Sequence, residues 1–162
     1  MYTIKPMQTE PEIDGKAYVH YKSWHETYHG LIDENYLQER MMLDFCMRAA
    51  HRWPDNLWVA KDGETVVGFM GCGPYRGDTL PGHGEVFGIY VLEAYHGQKV
   101  GYALMNTAFD QLADYDRIAL WVLKGNEKAI RFYERYGFRF DGAEKDVMLG
   151  TPNTELRMIY QR

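Results

Sequence analysis

The stretch from Gly84 to Phe138 leaves few folds open, because it reads as strand, turn, helix, strand and helix without interruption. Val86 to Leu92 is a short apolar run rich in β-branched and aromatic residues, the pattern of a buried strand. Glu93 to Lys99 is polar and contains glycine, which marks a turn. From Gly101 onward, Leu104, Met105, Ala108, Phe109 and Leu112 fall at helical spacing. Arg117 to Leu123 returns to a strand. Asn126 is a suitable N-cap for a helix that puts Ile130 and Tyr133 on one face, and Gly137 ends that helix. Two strands joined through a helix in this way lie parallel in one sheet.

This unit has a chemical consequence. The turn feeds a row of backbone N–H groups into the helix that starts near Gly101. Unpaired donors and the positive end of the helix dipole attract phosphate there. Gly97 and Gly101 let a ligand approach the main chain. Glycine-containing junctions of this kind also occur for structural reasons alone, so the junction by itself leaves both readings open.

The flanking segments supply the rest of a sheet. Tyr2 to Lys5 alternates as a short strand, and Pro11 to Tyr28 is helical, with Tyr18, Tyr21, Trp24, His25 and Tyr28 spaced by three or four. Gly30 breaks that helix. Asp33 caps a second one expected to run to about His51, with Tyr36, Leu37, Met41 and Phe45 inward. Leu57 to Lys61 and Thr65 to Gly73 flank an Asp62-Gly63 hairpin signal. Arg139 to Gly142 continues a strand, Lys145 to Thr151 carries strand character to a Gly-Thr-Pro-Asn turn, and Thr154 to Tyr160 alternates and closes the sheet. The expected order is strand, two helices, three strands, helix, strand, helix, two strands. That is one α/β (α+β) domain over residues 1–162, with a mixed sheet and helices on both faces.

Charge and cysteine content narrow the function classes. The net charge is −5 and no basic stripe occurs, which argues against nucleic acid as a partner. No apolar run approaches a membrane span, and the N-terminus lacks the apolar core of a signal peptide, so a cytoplasmic protein with no membrane partner is expected. Cys46 and Cys72 lack Cys-x-x-Cys spacing and read as buried thiols. No metal site is expected. A phosphate loop of the Gly-x-x-x-x-Gly-Lys-Ser/Thr type is absent.

Taken together, residues 84–138 resemble the GNAT superfamily of acyl-CoA-dependent N-acyltransferases. Four features carry the resemblance in order: the strand end Ile89-Tyr90-Val91; the turn and helix start from Tyr95 through His96, Gly97, Gln98, Lys99, Val100, Gly101, Tyr102 and Ala103 to Leu104; Asn126; and the run from Ala129 through Tyr133 to Gly137-Phe138. The family's Gln/Arg-x-x-Gly-x-Gly/Ala signature falls on His96 to Gly101, with His96 in place of Gln/Arg and Lys99 in place of the first glycine. Shifted by two it fits Gln98 to Ala103 literally; the first register keeps the usual distance from the strand, and both use Gly101. The fold implied is a mixed, mostly antiparallel sheet in which the central parallel strands splay and hold the pantetheine arm of acetyl-CoA.

The resemblance also implies roles. Ile89, Tyr90 and Val91 would pair with the pantetheine, and the Val91 N–H would polarise the thioester carbonyl. The turn residues would bind the phosphates, and Asn126 the cofactor arm. Tyr133 would protonate the coenzyme A thiolate; read alone it is a core aromatic. Glu85 matches a general base of several members, Trp121 standing where others carry a glutamate; read alone Glu85 is an exposed strand-end carboxylate. The acceptor pocket is expected near Gly30 from Trp24, Glu26, Tyr28 and Asp33, an aromatic and acidic rim suited to a cation; these residues also suit a solvated interhelical loop. The expected activity is acetyl transfer from acetyl-CoA to a primary amine, a small cationic one or a peptide, by direct attack in a ternary complex. A non-catalytic acyl-CoA-binding module is the alternative, and a homodimer is compatible with the family.

Overall fold

The computed structural model describes residues 2–162. Strand β1 (Tyr2–Pro6) leads into α1 (Glu10–Tyr28), α2 (Glu34–Glu39) and α3 (Leu43–Arg52). Then come β2 (Leu57–Asp62), β3 (Thr65–Pro74), β4 (Gly84–Val91), α4 (Val100–Gln111), β5 (Arg117–Leu123), α5 (Glu127–Tyr136), β6 (Arg139–Leu149) and β7 (Thr151–Gln161). They form one seven-stranded sheet in the order β1-β2-β3-β4-β5-β7-β6. Every pairing is antiparallel except β4 with β5, whose parallel pairing covers only Gly84 with Ile118 and Glu85 with Ala119. Among the described residues no helix is long and apolar enough to cross a membrane.

The helices bury opposite faces of this sheet. Val100, Leu104, Met105 and Ala108 of α4 and Ile130 and Tyr133 of α5 pack with Val67, Met70, Ile118, Leu120 and Met158 from the strands. Ala17, Leu37, Cys46 and Ala50 from α1, α2 and α3 form the opposite layer with Leu123 and Leu149. Both thiols are buried there or in the sheet, and burial pushes each up to about 11, so they pack as unreactive apolar groups.

Three local expectations are corrected. The helix after Asp33 is two helices, broken between Glu39 and Leu43 without glycine or proline. The Met41 carbonyl at the break accepts a hydrogen bond from His25 Nε2 at 2.8 Å, which satisfies a group the helix would otherwise use. The break resets the helical phase, so Phe45 is exposed and Cys46 faces the core. Arg139 to Gly142 and the segment from Lys145 join without a break in one strand, β6, whose register slips between Phe140 and Glu144. The last turn is tighter than expected: Leu149 faces Thr151 across Gly150, whose φ of 80° is the left-handed backbone glycine adopts freely. Pro152 therefore lies inside β7, in the part beyond the reach of β5, so its missing N–H breaks no ladder.

Helix α1 is fixed at its start by a device that the sequence reading passed over. Thr9 and Glu12 form a capping box, and the Glu12 carboxylate, almost wholly buried, also accepts from the Gln8 N–H at 2.8 Å and from Lys5 Nζ at 2.5 Å. Burial opposes the charge, but Lys5 and the two N–H groups win and hold the carboxyl at about 2, below its ordinary 4.5. Because the folded value is depressed, this stabilisation is complete above about pH 4.5 and is lost as pH falls toward 2. Glu12→Gln is expected to lower the unfolding free energy by about 1–3 kcal/mol at neutral pH. Denaturation at a series of pH values should show the gap to wild type closing between pH 5 and pH 2. A gap independent of pH would mean that the charge is not what stabilises the cap.

Candidate active site

A bulge in β4 opens the site. Gly71 of β3 faces Gly88 and Cys72 faces Val86, which leaves Phe87 as an extra residue on β4. Its ring fits because Gly71 and Gly73 are bare: a Cβ at either position would stand 3.2 Å from the Phe87 ring. A bulge bends its strand and increases the local twist. Parallel pairing with β5 accordingly stops at Glu85, two residues earlier, and the strands diverge. The space between them belongs to a cavity of about 650 Å³ lined by β4 from Phe87 to Val91, by β5 from Trp121 to Leu123, and by α1, α4, α5, β6 and β7.

The bared edge of β4 is a row of backbone groups. The Leu92 N–H bonds to Val67 O at 3.0 Å, so strand alternation turns the groups of Ile89 and Val91 toward the gap, where no strand pairs with them. The Val91 carbonyl is taken by His96 Nε2 at 2.9 Å, and His96 Nδ1 lies 2.8 Å from Lys128 Nζ. This pattern fixes the tautomer: Nε2 donates to Val91 and Nδ1 accepts from the lysine. It leaves the Val91 N–H open.

One end of the cavity suits an anion. Helix α4 begins without a side-chain cap and without an acid in its first turn, whereas α1 has a capping box and two glutamates in that place. The first backbone bond into α4 runs from the Ala103 N–H to Lys99 O at 3.0 Å. The N–H groups before it point into the open junction, and the helix dipole adds to their field. Lys99, Lys128 and Arg135 line the cavity and supply positive charge.

The opposite end is built by aromatic rings. Lys16, His20, Trp24 and Tyr28 follow one another at i, i+4 along α1. Burial, helped by the Lys16 charge, lowers His20 to about 3 and keeps it neutral. Trp24 packs on Tyr28 with centroids 4.6 Å apart, and the Tyr28 and Tyr90 hydroxyls lie 3.2 Å from each other. Tyr133 enters from α5, whose start is fixed by Asn126 Oδ1 accepting from the Ala129 N–H at 3.3 Å and whose end is fixed by Gly137. Burial, and then the neighbouring Tyr90, push the Tyr133 hydroxyl well above the usual phenol range, so it stays protonated near neutral pH. The remaining wall carries charge: Arg76 lies 4.0 Å over the Phe87 ring, Lys145 lies 4.3 Å over Trp121, and Glu155 is the one carboxylate lining the cavity among the described residues.

The cavity gathers most of the residues singled out from sequence. Tyr133 and Asn126 line it, as do Ile89, Tyr90, Val91, His96, Gly97, Lys99, Val100, Gly101 and Tyr102. Gln98 and Ala103 do not: Gln98 turns away to Tyr2 and to Ala94 O. Trp24 and Tyr28 line the cavity, but the acidic rim does not form. Glu26 accepts from the Glu93 N–H at 3.3 Å, and Asp33 caps α2 by accepting from the Tyr36 N–H at 3.1 Å. Glu85 departs from both of its readings. It is buried rather than exposed, it does not line the cavity, and both its oxygens are bonded to Arg76, at 2.9 Å to the backbone N–H and 2.9 Å to Nη2. Sequence reasoning missed Arg76, Phe87, Lys145 and Glu155. The only signal was strand alternation in β6 and β7, which does not tell a cavity face from a solvent face.

Comparison with known proteins bears on the family and the fold. Residues 18–138 match the model of the Acetyltransferase (GNAT) family. The chain is 31% identical to the uncharacterized N-acetyltransferase YuaI of Bacillus subtilis, over 94% of each chain. It is 31% identical to the phosphinothricin N-acetyltransferase of Streptomyces coelicolor, over 58% of this chain and 57% of that one. Its fold superposes on the PaiA N-acetyltransferase of Thermoplasma acidophilum, determined in complex with coenzyme A, with a TM-score of 0.77 and 18% identity, covering 100% of this chain and 99% of the other.

Lys99 has φ 65° and ψ 15°, the left-handed backbone that glycine adopts without cost, at the position where the first register of the signature has its glycine. Lys99→Gly is therefore expected to leave the melting temperature unchanged or raise it by up to about 3 °C, since relief of roughly 1 kcal/mol of strain opposes the entropy of an unfolded glycine. Lys99→Val should lower it, because a β-branched residue tolerates this conformation least. Equal losses in the two variants, measured by thermal unfolding, would show that the lysine side chain and not its backbone governs stability here.

Proposed function

The chain belongs to the GNAT family of acetyltransferases, and from that premise we propose that it moves an acetyl group from acetyl-CoA to a primary amine by direct attack within a ternary complex. The single observation that carries the reading is the interrupted β4–β5 pairing, which leaves the edge of β4 open beside an uncapped helix start. An extended pantetheine arm would pair with Ile89 and Val91 as an added strand pairs with a sheet edge. The diphosphate would lie against the N–H groups before Ala103, near Lys99 and Lys128. Acetyl-CoA would supply the activated acyl carbon, whose C–S bond would be exchanged for a C–N bond as the amine, attacking in its neutral form, releases its proton to solvent. The open Val91 N–H would draw charge from the thioester oxygen. Asn126 would hold the cofactor arm in addition to capping α5.

Tyr133 is the candidate proton donor. It lines the cavity with its hydroxyl protonated at neutral pH, so it can hydrogen-bond to a departing thiolate and give up its proton; solvent then restores it. Glu85 is assigned another task. Its bonds to Arg76 hold the loop between β3 and β4 against the cavity mouth, and both its oxygens are engaged there, away from the cavity. The preference for a cationic acceptor loses its support with the displacement of Glu26 and Asp33 from the cavity.

Tyr133→Phe keeps the ring and removes the hydroxyl. Fold and coenzyme A affinity should be nearly unchanged, while kcat falls by roughly 10- to 10⁴-fold, the span expected for a lost general acid. The measurement is steady-state thiol release beside coenzyme A titration of both proteins. An unaltered kcat would remove Tyr133 from the reaction. Tight coenzyme A binding by the wild type without turnover of any amine would favour a binding module instead.

A further inference from the structure

The acceptor half of the cavity holds two opposite charges that do not satisfy one another. Lys145 on β6 and Glu155 on β7 are direct cross-strand partners, so their side chains leave the same face of the sheet, and both line the cavity. Lys145 Nζ lies 3.8 Å from Glu155 Oε2, beyond hydrogen-bond reach. The charges around them differ in this respect. Arg76 is bonded to Glu85 at 2.9 Å, and Arg157 to Asp141 at 2.7 Å. Lys145 is steadied over the Trp121 ring at 4.3 Å, a contact that positions the ammonium without using its N–H donors. Glu155 lines the same cavity as Tyr28 and Tyr90: burial pushes both hydroxyls upward and the Glu155 charge adds to it, while the Tyr28 hydrogen bond acts the other way at Tyr90.

We infer that the acceptor is a zwitterion of the α-amino-acid type, with its ammonium on Glu155 and its carboxylate on Lys145. The inference rests on the acetyl-transfer reading above and names the substrate class of that same site. A ligand with opposite charges a few bonds apart can enter the loose pair in reversed order and give each side chain a short charge-assisted bond. What it replaces is a half-exposed ion pair of little strength. A polycation would satisfy Glu155 but meet Lys145 and Arg76 as like charges. An apolar amine would leave Lys145 without a partner.

The test is acetyl-CoA-dependent thiol release with the common L-amino acids, each beside its α-amide, which keeps the amine and removes the negative charge. The amide's amine is the less basic of the two, so intrinsic reactivity favours the amide and a preference for the acid reports the site. For the best acceptor, kcat/KM should favour the acid by roughly 10- to 100-fold, carried by KM, as the loss of one charged hydrogen bond implies. Lys145→Met should erase this preference, Lys145→Arg should retain part of it, and Glu155→Gln should raise KM for acid and amide alike. Circular dichroism and a coenzyme A thermal shift establish that each variant is folded with its donor site intact. Amides or polyamines outperforming the acids, an acid preference that survives Lys145→Met, or no amino acid acetylated or bound in the presence of coenzyme A would each overturn the inference while leaving acetyl transfer standing. Failure of the wild type to bind coenzyme A at all would overturn the acetyl-transfer reading, and this inference with it.

Discussion

The site depends on one extra residue. With Phe87 inserted opposite β3, β4 cannot follow β5 past Glu85, and a sheet that would otherwise be continuous opens along a seam. The seam is costly in ordinary terms, since it leaves strand N–H and C=O groups unpaired near the middle of the sheet. Two neighbours limit that cost. The Phe87 ring fills the room left by Gly71 and Gly73, and His96 reaches back to the Val91 carbonyl. What stays open is a short run of backbone facing a cavity, and this is the geometry in which an added strand would complete the ladder.

The two ends of the cavity are built from different materials. At the α4 end the recognition elements are main-chain N–H groups and a helix dipole, with lysines as support. Such a site needs only a strand, a turn with left-handed residues and a helix start, and it tolerates variation such as Lys99 where a glycine is expected. At the other end the elements are side chains from α1, the β3–β4 loop, β6 and β7, each delivered by a separate part of the chain. An end built from main-chain groups keeps its chemistry when side chains change, while an end built from side chains changes with them.

This difference explains what could be read from sequence. The succession of elements from β4 to α5, the parallel pair, the Asn126 cap and the helix face that carries Tyr133 all follow from local periodicity and capping, and they appear in the structure within a residue or two. The break between α2 and α3 was not legible, because a tertiary hydrogen bond from His25 ends the helix and no local breaker does. Glu26 and Asp33 were grouped by nearness in sequence, but each is held by a backbone N–H, Glu26 by that of Glu93 and Asp33 by that of Tyr36. Lys145 and Glu155 were invisible for the opposite reason. They are ten residues apart in sequence, and only the β6–β7 register brings them together.

Glu85 shows how burial engages a residue that stands at a site-forming position. It sits on the last paired rung of the parallel strands, where the sheet is still closed and side chains are buried. A carboxylate there must be compensated, because a bare buried charge is far less stable than a neutral group. Arg76 supplies the compensation from the β3–β4 loop with two nitrogens as well as its own backbone N–H, and stacks on Phe87 in doing so. The ion pair thereby ties the loop to the bulge itself. The rung that closes the sheet, the residue that opens it and the cation at the cavity wall thus form one connected unit, so the distortion that bares the edge of β4 also places a cation on the wall of the cavity.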